Sequence, residues 1–162
     1  MNKNTVAWWD DAIVGDTRVS FGRTITEADL IALCGLSGSY VPLHCDAEYA
    51  KTTVFGQRVV NAQMSMVIAA GLRASMIWYN GDTFCGESMV AFLGFDKVRF
   101  PAPLFINDTI HLEITILSKR LTSKPGRGVI TFEDHVVKQD GTIVAQWERS
   151  MMFKTKPTDG IG

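Results

Sequence analysis

This chain has no Cys-x-x-Cys pair, and its three cysteines, Cys34, Cys45 and Cys85, are odd in number and widely spaced. That pattern excludes a disulfide framework and a cysteine-based metal site, and reduced thiols are the expectation. Runs of like charge are also missing. Lysine and arginine total 16 against 17 aspartates and glutamates, so the chain lacks the electrostatic footprint that nucleic acid or an acidic membrane surface requires. The opening residues lead from Met1-Asn2-Lys3-Asn4-Thr5 to Trp8-Trp9-Asp10-Asp11 without an apolar stretch of signal-peptide length. The most apolar segment, 62–78, is interrupted by Arg73. The expectation is a cytoplasmic protein with no nucleic-acid partner, no membrane partner and no metal. Internal repeats and low-complexity tracts are absent as well.

What is present is 162 residues, 46% of them hydrophobic, which is enough for one full core and short for two. One domain over 1–154 is expected, with 155–162 as a disordered tail carrying Pro157, Gly160 and Gly162. Residues 17–23 read as a short strand. Thr26, with Glu27 and Asp29 behind it, reads as the cap of a helix through Leu30 and Leu33 that stops in the turn Gly35-Leu36-Ser37-Gly38. Over 62–78, Met64, Val67, Ile68, Gly71, Leu72, Ser75 and Met76 recur mostly at helical spacing with alanines between them, which predicts a long buried helix ended by Asn80-Gly81-Asp82.

The second half changes period. Segments 90–100, 109–119, 129–137 and 142–153 are β-branched or aromatic with partial alternation. Turn chemistry separates them: Pro101-Ala102-Pro103 with Asn107-Asp108, then Ser123-Lys124-Pro125-Gly126, then Asp140-Gly141, a strong hairpin signal. Asn107-Asp108-Thr109 fits the glycosylation triplet but is better read as a tight turn. The fold class is α+β: one long helix followed by a four-stranded antiparallel meander, with an earlier strand at the edge, and the sheet curved around the helix.

One stretch concentrates the chemistry. In Tyr40-Val41-Pro42-Leu43-His44-Cys45-Asp46, proline fixes its own φ and pushes Val41 toward an extended conformation, so the backbone entering His44 is stiff and the imidazole is positioned. Cys45 beside His44 suggests a Cys-His nucleophile, but sequence neighbours often point apart, and a buried small thiol is the usual fate of cysteine. Asp46 reads as the cap of a second short helix through Ala50, and Glu48 as solvated surface.

The segment from Gly38 to His44 resembles the Gly-Asp-x-Asn-Pro-Leu-His segment of the MaoC-like enoyl-CoA hydratases and acyl dehydratases. Arg23-Thr24-Ile25-Thr26-Glu27-Ala28-Asp29, then Val98-Arg99-Phe100-Pro101-Ala102-Pro103 leading to Asp108-Thr109-Ile110, and Lys119-Arg120 follow in the same order and spacing. The resemblance covers most of the chain and implies a single hot-dog domain in a homodimer or larger assembly. It also implies an acyl-CoA or enoyl-CoA thioester as substrate, with no cofactor beyond the coenzyme A of that thioester. The implied reaction is hydration or dehydration, with His44 catalytic and Ser39 standing where the family has its catalytic aspartate. Val41 falls on the family asparagine, and Asn61-Ala62-Gln63 on its His-Gly-Met, so these four are the implied substrate-binding residues. Backbone amides there would polarise the thioester carbonyl. Arg58 and Lys119 or Arg120 are implied contacts for coenzyme A phosphates, with plain surface positions the alternative. Loss of the family aspartate leaves a second expectation open, a weakened acyl-CoA-binding subunit. A hot-dog thioesterase is less favoured, because those call on a carboxylate along the central helix and 62–78 contains none.

Overall fold

The computed structural model describes residues 8–80 and 88–157. Cys85 and Gly81-Asp82 of the expected helix-ending turn lie outside them, as do residues 158–162. After a 3-10 turn at Trp9–Asp11, the strand expected over 17–23 forms as two, β1 (Thr17–Val19) and β2 (Arg23–Thr24). They are split because Ser20 is buried and bonded at both its N–H and its hydroxyl to Leu112. Thr26 then opens α1 (Glu27–Ser37): its hydroxyl accepts from the Asp29 N–H at 3.3 Å, and the Asp29 carboxylate accepts from the Thr26 N–H at 2.9 Å. Gly38 ends the helix at φ +69°, a conformation only glycine adopts cheaply.

Two short helices follow, α2 (Pro42–Cys45) and α3 (Ala47–Lys51), the second capped by Asp46 as expected. The long helix is α4 (Ala62–Asn80). It is buried on one side only. Met64, Ile68, Ala69, Leu72 and Met76 are in the core, whereas Val67 is 56% exposed and Ala70, Gly71 and Ala74 are also open. The expectation of an all-round buried helix fails because small apolar residues on the outer stripe look like core in the sequence.

The strands β3 (Met89–Arg99), β4 (Thr109–Leu121), β5 (Arg127–Lys138) and β6 (Ile143–Lys154) form one antiparallel sheet in the order β1-β4-β5-β6-β3, with β2 also on β4. The expected four-stranded meander is therefore only three strands long. β3 pairs with β6 instead, because β1 and β2 already fill the outer edge of β4 and the Pro101-Ala102-Pro103 segment cannot close a tight hairpin into it. Gly141 at φ +86° and Gly126 at φ +74° make the two predicted turns. β3 is an edge strand with three register shifts, and Phe92, Leu93 and Phe95 on it are 40–49% exposed.

Alternation puts Ile110, Leu112, Ile114 and Ile116 of β4, Ile130, Phe132 and Val136 of β5, and Trp147, Met151 and Phe153 of β6 on the face that wraps α4. Each fully buried side chain of this size contributes about 1.5–3 kcal/mol. The same face carries an ionic cluster. Asp134, fully buried, accepts from Trp147 Nε1 at 2.9 Å and from Arg149 Nε and Nη2 at 2.7 and 3.1 Å. Arg73 of α4, which breaks the apolar segment in the sequence, reaches the same carboxylate at 3.5 Å. Thr155 and Lys156, placed in the tail by sequence, are instead tied down: Thr155 donates to the Gly126 carbonyl at 3.0 Å, and the Lys156 N–H to the Asp10 carboxylate at 2.7 Å.

Candidate functional site

Val41 is the N-cap of α2, extended at ψ 135°, and Pro42 occupies the first helical position, where its missing N–H costs nothing. The amides of His44 and Cys45 both bond to the Val41 carbonyl, at 2.8 and 3.2 Å. His44 is thus on a single helical turn, as its stiff entry predicts. Its Nδ1 lies 2.7 Å from the Val59 carbonyl oxygen. A carbonyl only accepts, so Nδ1 carries the hydrogen, and in the neutral ring Nε2 keeps its lone pair. Val59 returns a bond from its own N–H to the Leu43 carbonyl at 3.3 Å, and the Val60 N–H bonds to the Leu104 carbonyl at 2.8 Å. The strip before α4 is therefore clamped between α2 and the loop after β3.

These contacts frame a cavity of about 610 Å³ whose wall includes Ser39, Val41, His44, Asn61, Ala62 and Gln63. The structure thus brings all six sequence-predicted residues to one place. Phe55, Phe100, Pro101, Pro103 and Leu104 supply apolar wall. A second cavity of about 420 Å³ shares Ser39, Asn61 and Gln63 with the first and runs between α1 and α4, with Leu33, Leu36, Met64 and Val67 in its wall. The two apolar cavities therefore share a wall of neutral hydrogen-bonding side chains.

The N-terminus of α4 lies in the cavity wall, but not all of its unpaired amides are open. Asn61 caps the helix: its Oδ1 accepts from the Gln63 N–H at 3.1 Å and its carbonyl from the Met64 N–H at 2.9 Å. The Ala62 N–H has no protein acceptor among the described residues, which leaves it and the Asn61 side-chain NH₂ as donors. The set of backbone amides expected at Asn61 to Gln63 is narrowed by that cap, a role the Asn-x-Gln start of the helix could have signalled. The Ser39 hydroxyl makes no hydrogen bond to the described residues, while its N–H bonds to Ser37 Oγ at 3.3 Å.

No carboxylate is among the residues that line either cavity. Asp46 is occupied as a cap, accepting from the amides of Glu48 and Tyr49 at 2.9 Å each, and Glu48 pairs with Lys51 at 2.6 Å. Arg58 binds both oxygens of Glu27, at 2.8 and 2.5 Å, and this guanidinium holds the Glu27 carboxyl below its ordinary range. Lys119 lies 4.6 Å from the Trp9 ring centre and donates to the Asp10 carbonyl at 3.2 Å, so it and Arg58 already have protein partners, and Arg120 is exposed on β4. Cys45 is not in the cavity wall. It faces Cys34 across 3.8 Å and packs on the core, so the nucleophile reading has no geometric support.

The MaoC like domain family matches residues 11–137. Protein MaoC of Klebsiella aerogenes is 31% identical over 121 residues, 74% of this chain, although the chain spans only 33% of that protein. An (R)-specific enoyl-CoA hydratase of Rhodospirillum rubrum is 26% identical over 137 residues, 85% of each chain. Among solved structures, a monoamine oxidase regulatory protein from Archaeoglobus superposes at a TM-score of 0.85 with 30% identity, over 93% of this chain and 96% of that one. An R-hydratase from Pseudomonas aeruginosa superposes at 0.69 with 26% identity, over 92% and 86%. With its sheet wrapped around α4 in the hot-dog arrangement and this family matched over most of its length, the chain belongs to the MaoC-like dehydratases.

Proposed function

We propose that this protein hydrates enoyl-CoA thioesters, or dehydrates the corresponding 3-hydroxyacyl-CoA, with His44 as its single acid-base group. The observation that carries the reading is the His44 ring, fixed through Nδ1 to the Val59 carbonyl at 2.7 Å, in a cavity that also holds the open amide of a helix N-terminus. The (R) stereochemistry is taken from the names of the relatives.

In this reading the thioester carbonyl rests on the Ala62 N–H and the Asn61 side-chain amide, where the positive end of the α4 dipole favours the developing oxyanion. A water held by the Ser39 hydroxyl gives its proton to His44 Nε2 as its oxygen bonds to the β-carbon, and the electron pair of the double bond moves onto the carbonyl oxygen. The imidazolium then returns a proton to the α-carbon, so one base serves both transfers from the same face. A serine cannot replace a carboxylate as base, and the turnover should be about 10²–10⁴-fold below that of a two-group site. The same reading pairs two copies along the open, apolar edge of β3 and places the protein in the cytoplasm, where coenzyme A thioesters are made and used. Among the described residues, no helix is long and apolar enough to cross a membrane.

A second reading, an acyl-CoA-binding subunit without turnover, is favoured by the absence of a carboxylate from the residues lining either cavity. One experiment separates the two. Purified protein is offered short, medium and branched enoyl-CoA thioesters, and loss of enoyl absorbance is followed beside thermal unfolding. The hydratase reading expects slow turnover that His44→Ala abolishes with the fold intact and that Ser39→Asp with Val41→Asn raises. The binding reading expects only the melting shift. A ligand at about 100 Kd adds roughly 2.7 kcal/mol. Neither turnover nor shift with any thioester would overturn both.

A further inference from the structure

Cys34 and Cys45 lie eleven positions apart in the sequence and 3.8 Å apart between their sulfurs. They join the two helices that frame the site. Cys34 lies on α1, 2% exposed within the core, and Cys45 ends α2, immediately after His44. The chain between them carries the Gly38 turn and Ser39. Cys34 also lines the 420 Å³ cavity, and Cys45 is only half-buried, so a small oxidant has access to the pair.

We propose that Cys34 and Cys45 are a thiol–disulfide modification site, whose closure draws α2 toward α1 and takes His44 off the Val59 carbonyl. A disulfide needs its sulfurs about 2.05 Å apart, so the pair must close by roughly 1.8 Å. α1 spans eleven residues, is capped at both ends and keeps Cys34 in the core. α2 has four residues and begins with a proline that donates no hydrogen bond. The shorter helix yields. Its movement carries the imidazole and bends the turn that presents Ser39, and a displacement of about 1 Å at a reacting group costs on the order of 10²-fold in rate.

The oxidant is a hydroperoxide. One thiolate attacks the peroxide, the O–O bond breaks, and a sulfenic acid and water form. The second thiol then displaces the hydroxyl, the S–S bond forms and another water leaves. Two thiols and one hydrogen peroxide thus give one disulfide and two waters. Burial pushes the Cys34 thiol up, and the hydrogen bond and negative charge of a Cys45 thiolate beside it push the same way, which keeps Cys34 protonated and makes the more exposed Cys45 the first sulfur oxidised. The effect on turnover rests on the hydratase reading, whereas the link itself does not.

The test uses the full chain carrying Cys85→Ser, treated with hydrogen peroxide and then with dithiothreitol. The expected result is a peptide joining Cys34 to Cys45, a shift of the His44 ring resonances in NMR, a roughly 10²-fold fall in enoyl-CoA turnover, and full reversal on reduction. Cys34→Ala and Cys45→Ala should each abolish the response, and if one fails to fold the other carries the test. The proposal is overturned if peptide mapping finds no such link, or if the link forms and the His44 resonances stay in place. Both readouts stand whether or not the protein turns over a thioester.

Discussion

Replacing Asp134 by alanine should destabilise the protein more than any surface change, and the structure sets the scale. The carboxylate is fully buried and takes hydrogen bonds from Trp147 and twice from Arg149, with Arg73 at 3.5 Å. Arg149 is itself only 2% exposed, its guanidinium lying 4.3 Å from the Phe132 ring centre. Removal of the carboxylate strands a buried cation and orphans the indole N–H, because neither group can turn to water from beneath α4. Breaking a buried pair on one side costs about 3–5 kcal/mol, which for a chain of this size lowers the melting temperature by roughly 6–20 °C. The check is urea and thermal unfolding of Asp134→Ala beside Asp134→Leu with Arg149→Met. The double change removes both charges and should recover most of the loss. A loss below about 1 kcal/mol for Asp134→Ala would refute the account of the cluster as a desolvated, mutually dependent unit. So would a double change as damaging as the single one.

Two further outcomes follow from contacts around the site. The Glu27 carboxyl, held below its ordinary value chiefly by its hydrogen bonds to Arg58, binds its proton less readily folded than unfolded. Its stabilising effect is therefore present above the unfolded value and is lost as the pH falls through the folded one. A carboxyl NMR titration should find Glu27 depressed in the wild type and back at its ordinary value in Arg58→Leu; identical titrations would exclude the pairing. Gly128→Ala places a methyl group inside the Trp9 indole, which bonds to the Val129 carbonyl at 3.2 Å, and should cost about 1–3 kcal/mol. Trp9→Ala should mask that cost in thermal unfolding, and a cost undiminished by it would place the strain elsewhere.

Local chemistry made much of the fold legible. The Thr26 and Asp46 caps, the Gly38 stop, the Asp140-Gly141 turn and the periodicity of α4 each depend on residues within a few positions, and each element forms where its residues specify it. The partner of β3 was not legible, because pairing with β6 rather than β4 is decided by which edge other strands already occupy. The thiol contact was hidden by the same kind of distance, since a turn of φ +69° at Gly38 folds α2 back on α1. The ionic cluster left a readable trace. Alternation alone puts Asp134 on the side of Phe132 and Val136, and Arg149 on the side of Trp147 and Met151. Two opposite charges facing inward on adjacent hairpin strands are a sequence signal for a buried pair.

The candidate site is assembled from the ends of elements, and that explains both what was predictable and what was not. Inside a helix or a ladder the backbone groups are committed to each other; only at termini do amides and carbonyls remain for other work. Val59 lends its carbonyl to His44, Ala62 keeps an open amide at the start of α4, and Val41 ends an extended strip that fixes the turn of α2. Each position is marked in the sequence by a proline, a cap residue or a glycine nearby, so the site's location could be read. Its chemistry depends on which of those groups a side chain claims first. Asn61 claims the Gln63 amide and so reduces the backbone donors left at the start of α4, and Ser39 puts a hydroxyl where a carboxylate was expected. On the proposed hydratase reading such a site turns a thioester over slowly through a single base, and the orientation of one imidazole is then the quantity on which activity depends.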